Sequence, residues 1–204
     1  MPEFLEIEQK FDVDEGFKRP DFGALPGGIS AAAPVLLQLA ATYFDTADER
    51  LAANKITLRR RTGGTDEGWH LKLPADQGNR REIQEPLSAG ADDEVPQRLA
   101  AQVAGVTAGL PLAPIAVLDT ERTVVTLTAK DGRVVAEVAD DTVTARRLRG
   151  SAEGASGQPL RWREIEVEVP VAAPELQRAA ADLLRQAGAR PAGHGSKLAR
   201  VLSS

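Results

Sequence analysis

The sequence predicts an α+β fold, namely an antiparallel meander of about eight β-strands, able to close into a barrel, with a few flanking helices. Several segments alternate apolar and charged residues with the two-residue period of a β-strand, as in "LEIEQKF" at 5–11. Glycine, proline, aspartate and asparagine separate these segments at short intervals, which is typical of a meander. Only two or three segments favour helices. At 204 residues, the chain is expected to form one domain over 1–204.

The composition narrows the class of protein. With 42% hydrophobic and 27% charged residues, the chain resembles ordinary globular proteins. It has no basic-then-apolar leader and no apolar run near the ~18 residues that span a bilayer, which predicts a cytoplasmic protein without a membrane partner. The absence of cysteine excludes disulfides and thiolate chemistry. A net charge of −5 argues against nucleic-acid binding.

The first half of the chain predicts a series of strands. The first strand ends near Val13, and a glycine- and proline-rich loop follows. The segment "VLLQLAATYFDT" fits a helix or a strand, and its aromatic residues Tyr43 and Phe44 favour a strand. Short strands are then predicted at 56–62, 68–74 and 80–87, each bounded by turn residues.

The second half adds helices between strands. One helix is predicted over 92–108, and three strands follow over 115–129, 132–148 and 160–170, with "KDG" at 130–132 as a hairpin turn. The segment 150–159 reads as a loop. A further helix is predicted over 173–188, where Gly188 stops an apolar stripe, and the tail 191–202 could add a short one. That stripe comprises Leu176, Ala180, Leu183 and Leu184.

Charged residues recur on one face of these strands, with acids on the first and last strands and bases on the middle ones. Such faces could simply meet water. Alternatively, they could turn inward and line a polar tunnel, where each buried charge would need a partner. Converging arginine and lysine would then favour phosphate, and paired carboxylates would favour Mg²⁺ or Mn²⁺. The faces contain Glu6, Glu8 and Lys10; Arg59 and Arg61; Lys72; Arg80, Glu82 and Gln84; and Glu164, Glu166 and Glu168.

Nine short motifs, taken in order, resemble the CYTH superfamily, the triphosphate tunnel metalloenzymes. They are "EIEQK" (6–10), "YFDT" (43–46), "ITLRRR" (56–61), "HLKLP" (70–74), "RREIQ" (80–84), "TERTV" (120–124), "AEVADD" (136–141), "EIEVE" (164–168) and "SKL" (196–198). The resemblance implies an eight-stranded antiparallel tunnel and divalent-metal-dependent chemistry on triphosphate compounds. It is strongest with the bacterial type found as the CYTH domain of CYTH–CHAD proteins.

The resemblance also implies roles for individual residues. The catalytic metal site for Mg²⁺ or Mn²⁺ would be formed by Glu6, Glu8, Glu164 and Glu166. Substrate binding would involve Lys10, Arg59, Arg61, Lys72, Arg80, Glu82 and Arg122, with Lys197 closing one tunnel mouth. Gln84, Thr120 and Glu121 depart from the pattern, and Glu137 and Asp140 are not assigned.

Other conspicuous residues are expected to be structural. We predict a surface position for Arg60, Arg81, Arg146 and Arg147, a core position for Tyr43 and Phe44, a structural role for His70, and packing outside the barrel for Trp69 and Trp162.

The resemblance implies an enzyme, a metal-dependent triphosphatase, and inorganic triphosphate is the first expected substrate because no base-recognition pocket is visible. A class IV adenylate cyclase, a thiamine triphosphatase and a non-catalytic polyphosphate-binding module remain alternatives. A carrier barrel for an apolar ligand fits the charged faces poorly. Apolar outer faces that two or three helices cannot cover suggest a homodimer.

Overall fold

The computed structural model describes residues 6–75, 80–148, 158–170 and 173–204. Within these ranges, eight strands of six or more residues confirm the predicted strand number, and two strands of two residues are added. The strands are β1 (Glu6–Val13), β2 (Ser30–Ala31), β3 (Val35–Asp45), β4 (Thr57–Thr62), β5 (Gly68–Pro74), β6 (Arg80–Glu85), β7 (Ala113–Thr128), β8 (Val134–Arg147), β9 (Leu160–Pro170) and β10 (Arg190–Pro191). The α-helices are α1 (Arg50–Ala53), α2 (Gln97–Gln102), α3 (Ala104–Thr107), α4 (Pro174–Gln186) and α5 (Lys197–Leu202).

The strands form one antiparallel sheet in the order β10-β1-β9-β8-β7-β3-β4-β5-β6, and β2 also pairs with β7. The predicted barrel is not closed by backbone pairing, because no ladder joins β6 to β1 among the described residues. The second edge of β1 is partly occupied by β10, which pairs with Phe11 and Asp12. The sheet nevertheless curves around a cavity that side chains of all eight long strands line.

Two apolar clusters cover the outer face of the sheet. In one, α4 packs Ala180 and Leu184 against Phe11, Ile165 and other residues of β1, β7, β8 and β9. This confirms the predicted helix over 173–188, which Gly188 ends at a φ of 103°.

In the other cluster, α1 to α3 cover Phe44 and Trp69, whose rings lie 5.1 Å apart. Phe44 therefore lies in the core, as predicted, and Trp69 lies outside the cavity. The single helix predicted over 92–108 is wrong. It is two short helices, α2 and α3, because Pro96 delays the start and Val103, fully buried, leaves helical geometry between them.

A third cluster lies on the inner face, where α5 packs Leu198 and Val201 against Tyr43, Leu118 and Trp162. Trp162 follows the same alternation as Glu164, and its indole Nε1 donates a hydrogen bond to Glu164 Oε2 at 2.5 Å. The prediction that Trp162 packs outside is therefore wrong. The predicted tail helix exists, and it fills one part of the inner face.

The remaining sequence predictions for local structure have clear outcomes. The ambiguous segment at 35–46 contains β3, and "KDG" forms the hairpin turn between β7 and β8, with Gly132 at a φ of 81°. Most of the predicted loop at 150–159 lies outside the described residues. No helix in the described ranges combines the length and apolar character needed to cross a lipid bilayer.

Candidate active site: a cavity with an acidic and a basic wall

The inner face of the sheet encloses a cavity of about 830 Å³. All eight long strands and α5 contribute side chains to its lining. Because alternate residues of a strand share a face, most of the charged positions predicted from the sequence whose side chains are described line this space. The predicted polar interior is thus present, although its charges are distributed unevenly.

Acidic side chains gather on β1, β8 and β9, which we call the acidic wall (Glu8, Asp141, Glu164, Glu166 and Glu168). The register of β8 and β9 places Asp141 opposite Glu164. Carboxylate oxygens come within 4.8 Å of one another in two groups that share Glu166. We call Asp141, Glu164 and Glu166 the inner triad, and Glu8, Glu166 and Glu168 the outer triad. All three residues of the inner triad are buried, whereas Glu8 is exposed.

Glu166 is the centre of the acidic wall. Its Oε1 pairs with Lys10 and lies 2.7 Å from Lys197 Nζ, and its Oε2 accepts a hydrogen bond from Arg122 Nη2 at 2.5 Å. Burial raises the pKa of Glu166, but the charges of Lys197, Lys10 and Arg122 outweigh burial and hold that pKa well below its ordinary value. Glu166 is therefore ionised at neutral pH.

Lys10, on β1, and Arg122, on β7 next to β8, each pair with two carboxylates of the acidic wall. Lys10 Nζ is 2.5 Å from Glu8 Oε1, and Arg122 binds Asp141 with two bonds of 2.7 and 2.6 Å in a bidentate arrangement. The predicted substrate-binding residues Lys10, Arg122 and Lys197 thus all pair with carboxylates of the acidic wall. They compensate its charge.

Arg59, Arg61 and Lys72 project into the cavity from β4 and β5, and we call them the basic wall. Arg61 is 6% exposed and pairs with Asp66. Arg59 Nη1 lies 3.5 Å from Tyr43 Oη, and the Nε atoms of both arginines are buried without a hydrogen-bond partner among the described residues. Burial, then the charges of Arg59 and Arg122, lower the pKa of Arg61 to about 10. The basic wall therefore carries positive charge that nearby acids do not fully balance.

Two acidic residues border the basic wall, Asp66 beside Arg61 and Glu82 beside Lys72. His70 Nδ1 lies 2.7 Å from Glu82 Oε1, and its Nε2 lies 2.8 Å from the carbonyl oxygen of Asp66. Lys72 Nζ is 3.3 Å from Glu82 Oε2. Burial raises the pKa of Glu82, but the hydrogen bond to His70 and the charge of Lys72 outweigh it and lower that pKa to about 2. His70, itself 2% exposed, thus supports Glu82 and has the structural role that the sequence predicted.

The structure brings together most of the predicted site residues. Glu8, Glu164 and Glu166 meet on the acidic wall, and Glu82 lines the cavity beside the basic wall. Glu6 and Arg80 belong to β1 and β6, but their side chains lie outside the described part of the structure.

The sequence analysis missed Asp141 and did not assign Glu168 to the site. Asp141 is fully buried and is the β8 contribution to the inner triad. The motif "AEVADD" contained part of the signal: alternation puts Glu137, Ala139 and Asp141 on one face of a strand, but it does not say which face is inward. Asp140 faces outward instead and binds Arg163 through two bonds of 2.9 and 2.8 Å.

The residues predicted for the surface lie largely as expected. Arg60 pairs with Asp92, Arg146 is exposed, and Arg147 pairs with Glu49. Arg81 is exposed but also borders the cavity.

The three departures from the family pattern have different positions. Gln84 and Thr120 line the cavity, whereas Glu121 is exposed and accepts a hydrogen bond from Gln38 Nε2 at 3.2 Å. Only Gln84 and Thr120 can therefore alter the polarity of the cavity itself.

The donor set of the acidic wall fits a hard divalent cation. Each triad offers three carboxylates, and neither contains a histidine. Oxygen-only ligands of this kind suit Mg²⁺ and Mn²⁺. Of the two triads, the outer one is partly open to the cavity.

Comparisons with known proteins agree with this architecture. Two uncharacterized proteins of Mycobacterium tuberculosis, Rv2226 of strain H37Rv and MT2285 of strain CDC 1551, are each 42% identical to this chain over 209 residues. The alignment covers 98% of this chain, and the chain spans 40% of the length of these relatives.

A crystal structure from Bacillus halodurans, of a protein described as a candidate adenylate cyclase, has the same fold. Its TM-score is 0.60 at 18% identity, with 98% of both chains covered. A profile of the CYTH domain matches residues 5–201. That match covers nearly the whole sequence, and the chain therefore belongs to the CYTH domain family.

Proposed function

We propose that this chain is a divalent-metal-dependent hydrolase of triphosphate compounds, with inorganic triphosphate as the first expected substrate. The observation that carries the proposal is the arrangement of the two walls around one cavity. The basic wall holds buried guanidinium groups with unused donors, and the acidic wall holds carboxylates suited to a cation. A linear polyanion with a bound cation matches both.

The basic wall would bind the phosphate chain. Arg59 and Arg61 line the cavity, and their hydrogen-bonding capacity is not filled by the described residues. Phosphate oxygens are strong acceptors for guanidinium groups. Lys72 would add a third donor from β5. Arg80, whose role follows from the sequence alone, is proposed for the same task.

The outer triad would hold the cation, because Glu8 is exposed and Glu168 half-buried, and so both are open to the cavity. Glu6 is proposed as a further ligand from the sequence pattern. When bound, Mg²⁺ or Mn²⁺ would neutralise charge on the phosphate oxygens.

Hydrolysis would proceed by positioning and charge rather than by a protein nucleophile. A water oxygen forms a bond to the terminal phosphorus as the bridging P–O bond opposite it breaks, and the water proton leaves to solvent or to a carboxylate. Orthophosphate and diphosphate are the products. The basic wall would hold the phosphate chain in line for this attack.

One feature favours organic triphosphates as a second candidate substrate class. Val35, Leu37 and Leu39 of β3 line the cavity with apolar side chains, and Val35 is 55% exposed. Such a surface could contact a base or a thiamine ring. Adenylate cyclase and thiamine triphosphatase activities are therefore included in the test.

A non-catalytic polyphosphate-binding module is the remaining alternative. Gln84 and Thr120 place uncharged side chains on the cavity lining, where the family pattern has charges. A site that lacks part of its catalytic charge could bind the substrate without cleaving it.

The deciding experiment measures phosphate release from inorganic triphosphate, ATP and thiamine triphosphate, with Mg²⁺, with Mn²⁺ and with chelator. Metal-dependent release from inorganic triphosphate is expected. Cyclic AMP and pyrophosphate from ATP would instead indicate a cyclase. Failure to release phosphate from any compound, together with a higher melting temperature in triphosphate, would contradict hydrolysis and support the binding module.

Several wider expectations remain proposals. These are the single domain over 1–204, the homodimer, the cytoplasmic location, the exclusion of nucleic acid and membrane as partners, and the likeness to the CYTH domain of CYTH–CHAD proteins.

A further inference from the structure

The ammonium group of Lys197 lies among the three carboxylates of the inner triad. Its Nζ is 2.8 Å from Asp141 Oδ2, 2.6 Å from Glu164 Oε1 and 2.7 Å from Glu166 Oε1. These three side chains are at most 5% exposed. A cation that binds all three carboxylates would have to occupy the position of this ammonium group.

The two carboxylate oxygens of Glu164 have different partners, a neutral donor at one and a cation at the other. Its Oε2 accepts the hydrogen bond from Trp162 Nε1. Its Oε1 is buried, and no donor in the described ranges is aligned to hydrogen-bond with it. The ion pair with Lys197 is therefore the charge compensation found at this oxygen.

The position of Lys197 is fixed by the packing of α5. Ser196 caps the helix by accepting a hydrogen bond from the backbone N–H of Ala199 at 3.1 Å. One turn later, Arg200 pairs with Asp12 and stacks 5.0 Å above the ring of Trp162. Together with the buried Leu198, these contacts hold the lysine stem against the inner face.

Arg122 pairs with two carboxylates of the inner triad, but Lys197 contacts all three. We propose that Lys197 occupies the cation position of the inner triad and excludes a second divalent cation from it. A divalent cation would then bind only at the outer triad. There Lys10 also pairs with Glu8 and Glu166, but Lys10 and Glu8 border the cavity, so this lysine can move aside for a cation. The inference rests on the proposed function for the presence of a divalent cation. The physical reason is charge repulsion, because a dication bound to the inner triad would lie next to a buried ammonium group that cannot leave while α5 is packed.

The test counts bound Mn²⁺ by titration calorimetry and by the electron paramagnetic resonance signal of free Mn²⁺, without substrate. We expect one Mn²⁺ in the wild-type chain and two in K197M, which keeps the stem and removes the charge. K130M, which removes an exposed lysine in the hairpin turn, is the matched control and should bind one. The double variant K197M/D141N should return to one, because its inner triad has lost a ligand.

K197M leaves three buried carboxylates with fewer counter-ions, so its folding needs a separate measurement. If K197M is unfolded without metal, Mn²⁺ should restore its circular dichroism spectrum but should not do so for K197M/D141N. A folded K197M that binds no more Mn²⁺ than wild type overturns the inference, as does an unfolded K197M that Mn²⁺ does not restore.

The two proposals fail in different ways. If the wild-type chain binds no Mn²⁺, the metal part of the proposed function is wrong. The Lys197 inference is then decided by whether K197M gains one Mn²⁺ that D141N removes again.

Discussion

The acidic and basic walls face the same cavity but differ in how their charges are balanced. In the acidic wall, Glu166 pairs with Lys10, Lys197 and Arg122, and the charges largely cancel within the folded chain. In the basic wall, Arg61 pairs with Asp66 and Lys72 with Glu82. Arg59 has one long hydrogen bond among the described residues, to the phenol of Tyr43. The difference implies that the acidic wall contributes more to the stability of the folded chain, whereas the basic wall keeps more hydrogen-bond donors for the proposed anion.

The largest effect is expected from Glu166→Gln. Phosphate release should fall to background, because this carboxylate belongs to both triads. Removing one partner of a buried ion-pair network costs about 3–5 kcal/mol, so the free energy of unfolding should also fall. Urea denaturation and phosphate release at saturating metal measure the two effects. A variant with wild-type turnover would contradict the assignment of the acidic wall as the metal site.

Arg59→Met should separate binding from stability. Loss of a charge-assisted hydrogen bond costs about 1.5–3 kcal/mol, which predicts roughly 10- to 100-fold weaker triphosphate binding. Stability should fall less than in Glu166→Gln, because the one hydrogen bond found for Arg59 among the described residues is the long contact with Tyr43. Arg146→Met, at an exposed position of β8, is the matched control.

Lys72→Ala should also weaken triphosphate binding, which would raise KM and change kcat less. A loss of stability in Arg59→Met as large as that in Glu166→Gln would show that the basic wall is a structural network too.

The parts of this contrast that depend on neighbouring residues could be predicted from the sequence, whereas those that depend on contacts between distant segments could not. Alternation within one strand is a local property, and it placed Glu164 with Glu166 and Arg59 with Arg61 on inner faces. Asp141 could not be assigned, because "ADD" contains two adjacent aspartates and only the register of β8 against β9 decides which one faces inward. The pairing of Lys197 with the acidic wall depends on how α5 packs, a contact between distant parts of the chain.

Protonation of Glu82 at low pH should lower the free energy of unfolding. Its folded-state pKa of about 2 lies below its ordinary value of 4.5, so the folded state favours the ionised form. The resulting stability is present above pH 4.5 and is lost as the pH falls from there towards 2. Urea denaturation across this interval should show a smaller loss for Glu82→Gln than for wild type. Parallel curves for the two proteins would show that Glu82 does not supply this pH dependence.

The smallest effect is a spectroscopic one and reports on the basic wall directly. Tyr43 is the single tyrosine of the chain, so its ionisation can be followed by ultraviolet absorbance. Burial raises the pKa of its phenol, but the positive charges of Arg59, Lys197 and Lys72 outweigh burial and bring that pKa below its ordinary value of 10. Arg59→Met should raise the midpoint because it removes the nearest cation.

Bound triphosphate should raise the midpoint of Tyr43 as well, since its negative charge offsets the basic wall, while Arg146→Met should leave the midpoint unchanged. The titration needs no turnover, so it applies equally if the chain binds triphosphate without cleaving it. A midpoint at or above 10 in the free protein would mean that the positive charges around Tyr43 are already balanced. The two walls would then be alike in charge compensation, and the basis for assigning the polyanion to the basic wall would be lost.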